Sequence, residues 1–123
     1  MLIIKETSST PYVKFSVEEC TFIIRGLSFS NDVESFYSPI IEWVETNFPK
    51  LDCELSCIFN LSVFNSITYK YILSIMTKIL HSNQAGKNIK VIWYYDLDDD
   101  DNKESAEDIA ELFNIPFELR QNK

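Results

Sequence analysis

Hydroxyl and amide side chains accumulate in the segment Phe64-Asn65-Ser66-Ile67-Thr68-Tyr69-Lys70. An alternating apolar pattern ends there and a helical pattern begins, so we predict that the segment joins a strand to a helix. The first turn of a helix offers free N–H groups and the positive end of the helix dipole. Asn65 or Ser66 can therefore cap the helix, or Ser66 or Thr68 can accept a phosphate that adds about −1.5 to −2 charge. These residues alone do not distinguish the two roles.

An acidic run that begins at Asp96 is the second segment with chemical potential. Counted from Asp96, oxygen-bearing side chains fall at relative positions 1, 3, 5, 7, 9 and 12, which is the spacing of a calcium-binding loop. Asp96, Asp98 and Asp100 are the candidate ligands. Asp101, however, stands where such a loop needs glycine, and a predicted strand precedes the run. A solvated loop that also caps the last helix is the competing interpretation, and the sequence favours it.

The aromatic run Trp93-Tyr94-Tyr95 closes a predicted strand. Such runs usually pack in a core or on a sheet face. Strand ends beside a helix N-terminus are also where sites gather in α/β sheets, and Trp and Tyr are good interface anchors. If the junction is regulatory, its predicted partner-binding residues are Asn65, Ser66, Thr68, Lys70, Trp93 and Tyr95.

Conventional catalysis is disfavoured by the sequence. The lone histidine, His81, falls at a predicted helix C-terminus, where a role in stabilising the helix dipole is expected. The sequence holds no serine elbow, glycine-rich phosphate loop or cluster of metal ligands. We therefore expect a protein that is not an enzyme and that needs no cofactor.

Charge and composition narrow the partners. The chain of 123 residues has a formal net charge of −8, which disfavours nucleic acid and anionic membranes and favours a protein partner. No apolar run reaches the ~18 residues of a membrane helix, and the start lacks the pattern of a cleaved signal. Cys20, Cys53 and Cys57 are odd in number and are expected to be reduced thiols in a cytoplasmic protein.

The hydrophobic pattern predicts one α/β domain over residues 1–123, in which residues 1–11 are a flexible lead-in. Its element order, ββαβαβαβ, implies a mixed sheet of about five strands with helices mainly on one face. Pro39 suggests either a loose first turn in the first helix or a regular start at Pro39. In chain order, the predicted elements are strand 12–17, turn 18–19, strand 21–25, helix 33–47, strand 51–64, a helix ending at His81 before a break at Asn83–Gly86, strand 89–95, a helix with Ala106, Ile109, Ala110, Leu112 and Phe113 on its apolar face, and strand 116–119.

Several segments, in this order and spacing, carry a family likeness over nearly the full length of the chain. They are Thr10-Pro11-Tyr12-Val13-Lys14-Phe15, Ile24-Arg25-Gly26-Leu27-Ser28, Phe36-Tyr37-Ser38-Pro39-Ile40 with Trp43, the junction 64–70, Trp93-Tyr94-Tyr95-Asp96 with the acidic run, Glu107-Asp108 and Pro116-Phe117. Through these segments the chain resembles the SiaC biofilm-regulation phosphoproteins.

The resemblance implies a fold like that of STAS-type anti-sigma-factor antagonists. It also implies phosphorylation by a partner kinase and dephosphorylation by a metal-dependent phosphatase. In such a system the unphosphorylated form binds and activates a diguanylate cyclase, which raises cyclic di-GMP. The family's phosphate acceptor is the Thr directly after Asn in an Asn-Thr-Ser-Ser motif. That position is Ser66 here, while Ile67 replaces a hydroxyl residue and Thr68 takes the place of the second Ser.

The leading hypothesis is thus a non-enzymatic binding protein whose partner affinity is switched by phosphorylation at Ser66, with Thr68 as the alternate acceptor. A calcium-binding acidic loop at Asp96, Asp98 and Asp100 is one alternative. A constitutive adaptor, similar to an anti-sigma-factor antagonist, is another.

Overall fold

Among the residues that the structure describes, six strands form one mixed sheet, in which they lie in the order of the chain. The computed structural model describes residues 1–29, 32–50, 53–82, 89–113 and 115–122. The elements are β1 (Leu2–Ile4), β2 (Tyr12–Ser16), β3 (Thr21–Ser28), α1 (Val33–Asn47) followed by a 3₁₀ turn (Phe48–Lys50), β4 (Leu55–Phe64), α2 (Ser66–Ser82), β5 (Ile89–Tyr95), α3 (Asp100–Phe113) and β6 (Phe117–Gln121).

The pairing confirms the predicted mixed α/β sheet. Strands β1, β2 and β3 pair antiparallel, and β3 to β6 pair parallel through the three helical crossovers. The sheet has six strands, whereas the hydrophobic pattern predicted about five. The predicted break at Asn83–Gly86 lies outside the described residues, as does the side chain of His81.

The additional strand, β1, lies inside the segment predicted to be a flexible lead-in, and that prediction is wrong for these residues. Leu2 pairs with Phe15 and Ile4 pairs with Val13, so both apolar side chains are added to the core face of the sheet. Further along, the Phe29 N–H donates to the Ser9 carbonyl at 3.0 Å. Three strand residues are too few to show a period, which is why the pattern did not reveal the strand.

Alternation along β4 places one row of side chains in the core. Leu55, Cys57, Phe59 and Leu61 are buried between the sheet and the helices, where each large apolar side chain contributes about 1.5–3 kcal/mol. Val63 continues the same alternation in the sequence, but it is 52% exposed. The alternation breaks because the β3–β4 register shifts at Gly26, which adopts φ 114°.

Gly26 pairs with Leu61 and the next residue of β3 pairs with Val63, so β4 holds one unpaired residue, Ser62. Such a bulge reverses the alternation that follows it. Phe64 therefore lies over the buried ring of Trp93, with 6.2 Å between ring centroids. The bulge sets the direction in which β4 enters α2.

The helices agree with the predicted periods at most positions. Helix α1 runs through Pro39, which is exposed, so the regular helix begins at Val33 and not at Pro39. In α3, Ala106 and Ile109 are buried as expected. Leu112 is 66% exposed, and its predicted place on the apolar face is wrong because α3 turns that position to solvent. Among the described residues, no helix has the length and apolar character needed to cross a membrane.

Two of the three cysteines are bonded to each other, so the prediction of three reduced thiols is wrong. Cys20 and Cys53 form a disulfide with a Cα–Cα distance of 6.3 Å. They meet because parallel pairing of β3 and β4 brings the starts of both strands together, a contact that their separation of 33 residues conceals in the sequence. Cys57 is free and buried, and burial raises the pKa of its thiol to about 12.

We expect the oxidised chain to show one reactive thiol only after unfolding, because Cys57 is buried in the native state. Unfolding after reduction should expose all three thiols. A disulfide that closes a loop of this length stabilises the fold by about 3–4 kcal/mol on the chain-entropy account, so reductant should lower the melting temperature. Thiol titration and calorimetry check both results, with Cys53→Ser as a variant that reductant should not destabilise further. Equal melting temperatures for the wild type with and without reductant would contradict the expectation.

Candidate functional site

Asn65 connects β4 to α2 and caps the helix, as one of the two roles considered for this junction predicted. Its side-chain Oδ1 accepts from the Thr68 N–H at 2.8 Å, and its carbonyl accepts from the Tyr69 N–H at 3.1 Å. Its own N–H donates to the Ser28 carbonyl at 3.3 Å, which attaches the cap to the end of β3. An Asn cap of this kind typically stabilises a helix by about 1 kcal/mol.

Ser66 is the first residue of α2, and its side chain is exposed. The next side chain, Ile67, is 50% exposed, and Lys70 is exposed one turn further along. The Ser66 hydroxyl is therefore accessible from outside at the positive end of the helix dipole, where an added anion is favoured.

Thr68 has the opposite environment, with 0% exposure. Its hydroxyl donates to the Ser28 carbonyl at 3.0 Å and lies 2.8 Å from the Ser28 hydroxyl. Because the single Thr68 proton is used toward the carbonyl, the Ser28 hydroxyl must donate to Thr68, and the Tyr37 hydroxyl, 2.8 Å away, must donate to Ser28. The hydroxyls of Tyr37, Ser28 and Thr68 thus each have a hydrogen-bond partner within the protein.

Tyr37 attaches the buried hydroxyl chain to α1. Burial raises the pKa of Tyr37 to about 12, so its phenol is un-ionised at neutral pH and is available as a donor. Its ring stacks on Tyr71 of α2, with centroids 5.4 Å apart and planes at 13°. Three elements, β3, α1 and α2, are thus fixed to one another directly beneath the exposed Ser66.

A cleft of about 590 Å³ opens beside Ser66. One wall is the end of β4 with the first turn of α2, and the other is the first turns of α3. The opposite wall contributes two carboxylates, Asp99 and Asp101, and no basic residue is among the lining residues that the structure describes. The lining residues that the structure describes are Ser62, Val63, Phe64, Asn65, Ser66, Tyr69, Asp99, Asp101, Asn102 and Ser105.

Trp93 does not line this surface, and the prediction that it contacts a partner is contradicted by its 0% exposure. Its indole N–H donates to Asn102 Oδ1 at 2.8 Å, and Asn102 Nδ2 donates to the Leu61 carbonyl at 3.1 Å. Asn102 is 3% exposed, so it is a buried bridge between α3, β5 and β4. In the sequence, Asn102 is only position 7 of the acidic run that begins at Asp96. The sequence does hold a signal for this role. Asn102 is an amide that follows a run of carboxylates, and it falls on the inward-facing side of the amphipathic helix.

The acidic run forms a helix cap. Asp99 Oδ1 accepts from the Asn102 N–H at 3.1 Å, and α3 begins at Asp100. Asp96 Oδ1 accepts from Asn122 Nδ2 at 2.9 Å, while Asp98 is exposed. In the described part of the chain, no group of three or more acidic, histidine or cysteine side chains is placed to hold a metal ion. Because α3 starts at Asp100, in the middle of the proposed calcium loop, the structure favours the competing interpretation of a loop that caps the last helix.

Tyr95 is half-buried at the end of β5, with the Lys103 ammonium 5.8 Å from its ring centroid. Of the six residues predicted to contact a partner, the structure therefore presents Asn65, Ser66, Lys70 and Tyr95 at least partly to solvent. Thr68 and Trp93 lie in the interior.

The sheet, the capped junction and its exposed serine define a small single-domain α/β protein with a hydroxyl displayed at a helix N-terminus. The family described as SiaC family regulatory phosphoprotein matches residues 4–122. The chain therefore belongs to the SiaC family, and the resemblance carried by its sequence segments is confirmed.

Solved structures share the fold. The crystal structure of apo-SiaC from Pseudomonas aeruginosa matches with a TM-score of 0.85 and 24% identity over 97% of each chain. SiaC in the crystal structure of diguanylate cyclase SiaD with its activator SiaC, from the same organism, matches with a TM-score of 0.89 and 23% identity, covering 99% of this chain and 100% of that chain. An uncharacterized protein of P. aeruginosa strain UCBPP-PA14 is 24% identical over 97% of this chain and 94% of its own length.

Replacing Thr68 by Val should lower the free energy of unfolding by about 1–3 kcal/mol, because buried hydrogen-bond partners on Ser28 are left unsatisfied. Thr68→Ser keeps the hydroxyl and should recover part of the loss. Urea unfolding measures the effect. The matched control is Thr77→Val, also in α2, whose exposed hydroxyl donates to the Leu73 carbonyl, and which should change stability by no more than about 0.5 kcal/mol. Equal losses at both positions would contradict the buried network.

Asn102→Leu should destabilise the fold by about 2 kcal/mol or more, because the Trp93 indole N–H and the Leu61 carbonyl lose their partner. In a Trp93→Phe background the indole donor is already absent, so the same change should cost less. The double-mutant cycle, measured by denaturant unfolding, isolates this coupling. Strictly additive losses would show that the Trp93–Asn102 bond contributes nothing.

Proposed function

We propose that this chain is a regulatory binding protein whose affinity for a signalling partner is switched by phosphorylation of Ser66. One observation carries the choice of residue. The Ser66 hydroxyl is exposed at the first position of α2, whereas the Thr68 hydroxyl is fully buried and bonded to Ser28. A kinase must bring the acceptor oxygen to its own active site, and only Ser66 permits this without opening the fold.

The family description as a regulatory phosphoprotein supports the same proposal. Ser66 occupies the position that corresponds to the family's acceptor, directly after the capping Asn65. A phosphate at Ser66 would lie next to the N–H groups of the first turn of α2, which favour negative charge. Phosphorylation is thus compatible with an intact helix, and its effect falls on the surface.

The effect on a partner follows from the cleft. Ser66 faces a wall that carries Asp99 and Asp101, in a chain whose net charge is already −8. A phosphate adds about −1.5 to −2 charge and occupies part of a cleft of about 590 Å³. A partner whose surface fits the cleft with a neutral Ser66 hydroxyl then meets both added bulk and added charge, so binding is weakened.

The partner that we propose is a diguanylate cyclase, which the unphosphorylated chain would bind and activate. The support is the solved complex in which SiaC is the activator of diguanylate cyclase SiaD, with the same fold as this chain. Asn65, Lys70 and Tyr95 have solvent-accessible surface and are proposed to contact the cyclase.

A Ser/Thr kinase and a metal-dependent phosphatase complete the cycle, in line with the family resemblance. Kinases use ATP and cyclases use GTP, so the proposal places the chain in the cytoplasm. In this scheme the chain catalyses no reaction itself.

The decisive experiment compares Ser66→Ala and Ser66→Asp with a diguanylate cyclase encoded in the same genome. Calorimetry should show that Ser66→Ala binds like the wild type and that Ser66→Asp binds at least about tenfold more weakly, because like charges at an interface cost several kcal/mol. Cyclic di-GMP formed from GTP should fall in parallel. Tandem mass spectrometry of the chain from its native cells should locate phosphate on Ser66.

Ser74→Asp is the matched control, since Ser74 is an exposed serine of α2 that does not line the cleft. It adds the same charge and should leave binding unchanged. Equal binding by Ser66→Asp and Ser66→Ala would instead support the constitutive adaptor. Phosphate that persists in Ser66→Ala and is lost in Thr68→Val would move the acceptor to Thr68.

A further inference from the structure

The outer edge of β6 is unpaired in the part of the chain that the structure describes. Strand β6 is the last in the sheet and pairs with β5 on one side only. The opposite edge strand, β1, is three residues long, whereas β6 has five residues and contains neither proline nor lysine. Short length, proline and charged side chains, above all lysine, are common ways in which proteins keep sheet edges from pairing. The β6 edge has neither of the first two, and its two charged residues, Glu118 and Arg120, are of opposite sign.

The hydrogen bonds to β5 determine which backbone groups point outward. The Val91 N–H donates to the Pro116 carbonyl at 2.9 Å, and the Asn122 N–H donates to the Tyr95 carbonyl at 2.7 Å. Residues at every second position of a parallel strand bond to the same neighbour, so the backbone groups of even-numbered residues in β6 face β5. The N–H and C=O groups of Phe117, Leu119 and Gln121 therefore face the open edge.

The same strand is complementary to itself. In an antiparallel pair of two β6 strands centred on Leu119, each outward-facing residue meets another outward-facing residue: Leu119 meets Leu119 of the second copy, and Phe117 meets Gln121. Each such pair exchanges two N–H···O=C bonds. In this register Glu118 of one copy stands opposite Arg120 of the other. The alignment that pairs the outward backbone groups is therefore also the one that pairs opposite charges.

We propose that two copies of this chain associate through their β6 edges, antiparallel about a two-fold axis at Leu119, and so extend both sheets into one. The contact is isologous, because the same residues contribute from both copies. Glu118 and Arg120 lie on the face of the sheet opposite the helices and are partly or fully accessible. They already form a 2.8 Å ion pair within one chain, and the second copy would extend it into an alternating cluster of four charges.

The local charges favour a second copy over another occupant. The chain as a whole carries −8, so two copies repel each other over most of their surface. At β6 the charged residues are Glu118 and Arg120, with Lys90 of β5 3.8 Å from Glu118, so this edge is not acidic. An extended segment of a different protein would need its own matching charges, whereas β6 supplies its own match.

Charge reversal tests the register directly by sedimentation equilibrium of the full chain over micromolar concentrations. The wild type should dimerise. Glu118→Arg and Arg120→Glu each place like charges opposite one another and should raise the dimer dissociation constant by about tenfold or more. An equimolar mixture of these two variants regains opposite charges at both cross-strand positions and should dimerise. The double swap Glu118→Arg/Arg120→Glu, with wild-type net charge, should dimerise by itself.

Gln121→Pro and Glu111→Arg complete the test. Gln121→Pro removes an outward N–H that β5 does not use and should weaken the dimer, whereas Gln121→Ala should not. Glu111→Arg makes the same charge change as Glu118→Arg on exposed α3 and should not weaken association. Circular dichroism confirms that each variant folds. A wild type that stays monomeric, a mixture that does not associate, or a dimer unaffected by Gln121→Pro would each overturn the proposal, and binding of a foreign extended peptide in place of the dimer would reassign the edge.

Discussion

The hydrogen bonds between Ser28 and Thr68 attach the end of β3 to the first turn of α2, and the geometry of the junction depends on them. The Ser28 carbonyl accepts from both the Asn65 N–H and the Thr68 hydroxyl, so both of its lone pairs are used. The Tyr37 hydroxyl bonds to the Ser28 hydroxyl and so extends this hydrogen-bond network to α1. A buried polar network of this kind is stable only when every member is paired, which leaves little freedom for the backbone around Ser66. The exposed serine is thus held by a rigid base.

Much of the fold could be predicted from periodicity. The bounds of α1 and β5, the opening hairpin and the change of period after Phe64 all follow from side chains that alternate or recur locally. The failures involve contacts distant in sequence. Strand β1 becomes recognisable only when it lies beside β2, the Cys20–Cys53 pair only when β3 and β4 are adjacent, and the exposure of Val63 only after the register shift at Gly26.

The site was predictable in position but not in detail. Residue types located the junction and its cap at Asn65, because capping is a local interaction. Whether a hydroxyl faces solvent depends on what packs against it, so Ser66 and Thr68 could not be ranked by accessibility before Ser28 was seen beside Thr68. The burial of Trp93 depends in the same way on a distant amide, Asn102, which the acidic run conceals among carboxylates.

The sheet order also bears on how the chain is assembled during synthesis. Each of the described strands after β1 lies next to the strand that precedes it in the chain, so none of them must be inserted between two that are already paired. Domains fold as the chain emerges from the ribosome, and local pairing shortens the search for partners. Pairing of the described strands can therefore proceed in one direction across the sheet, from β1 to β6. Of the described strands, β6 is the latest in the chain, and it lies at the edge of the sheet beside β5.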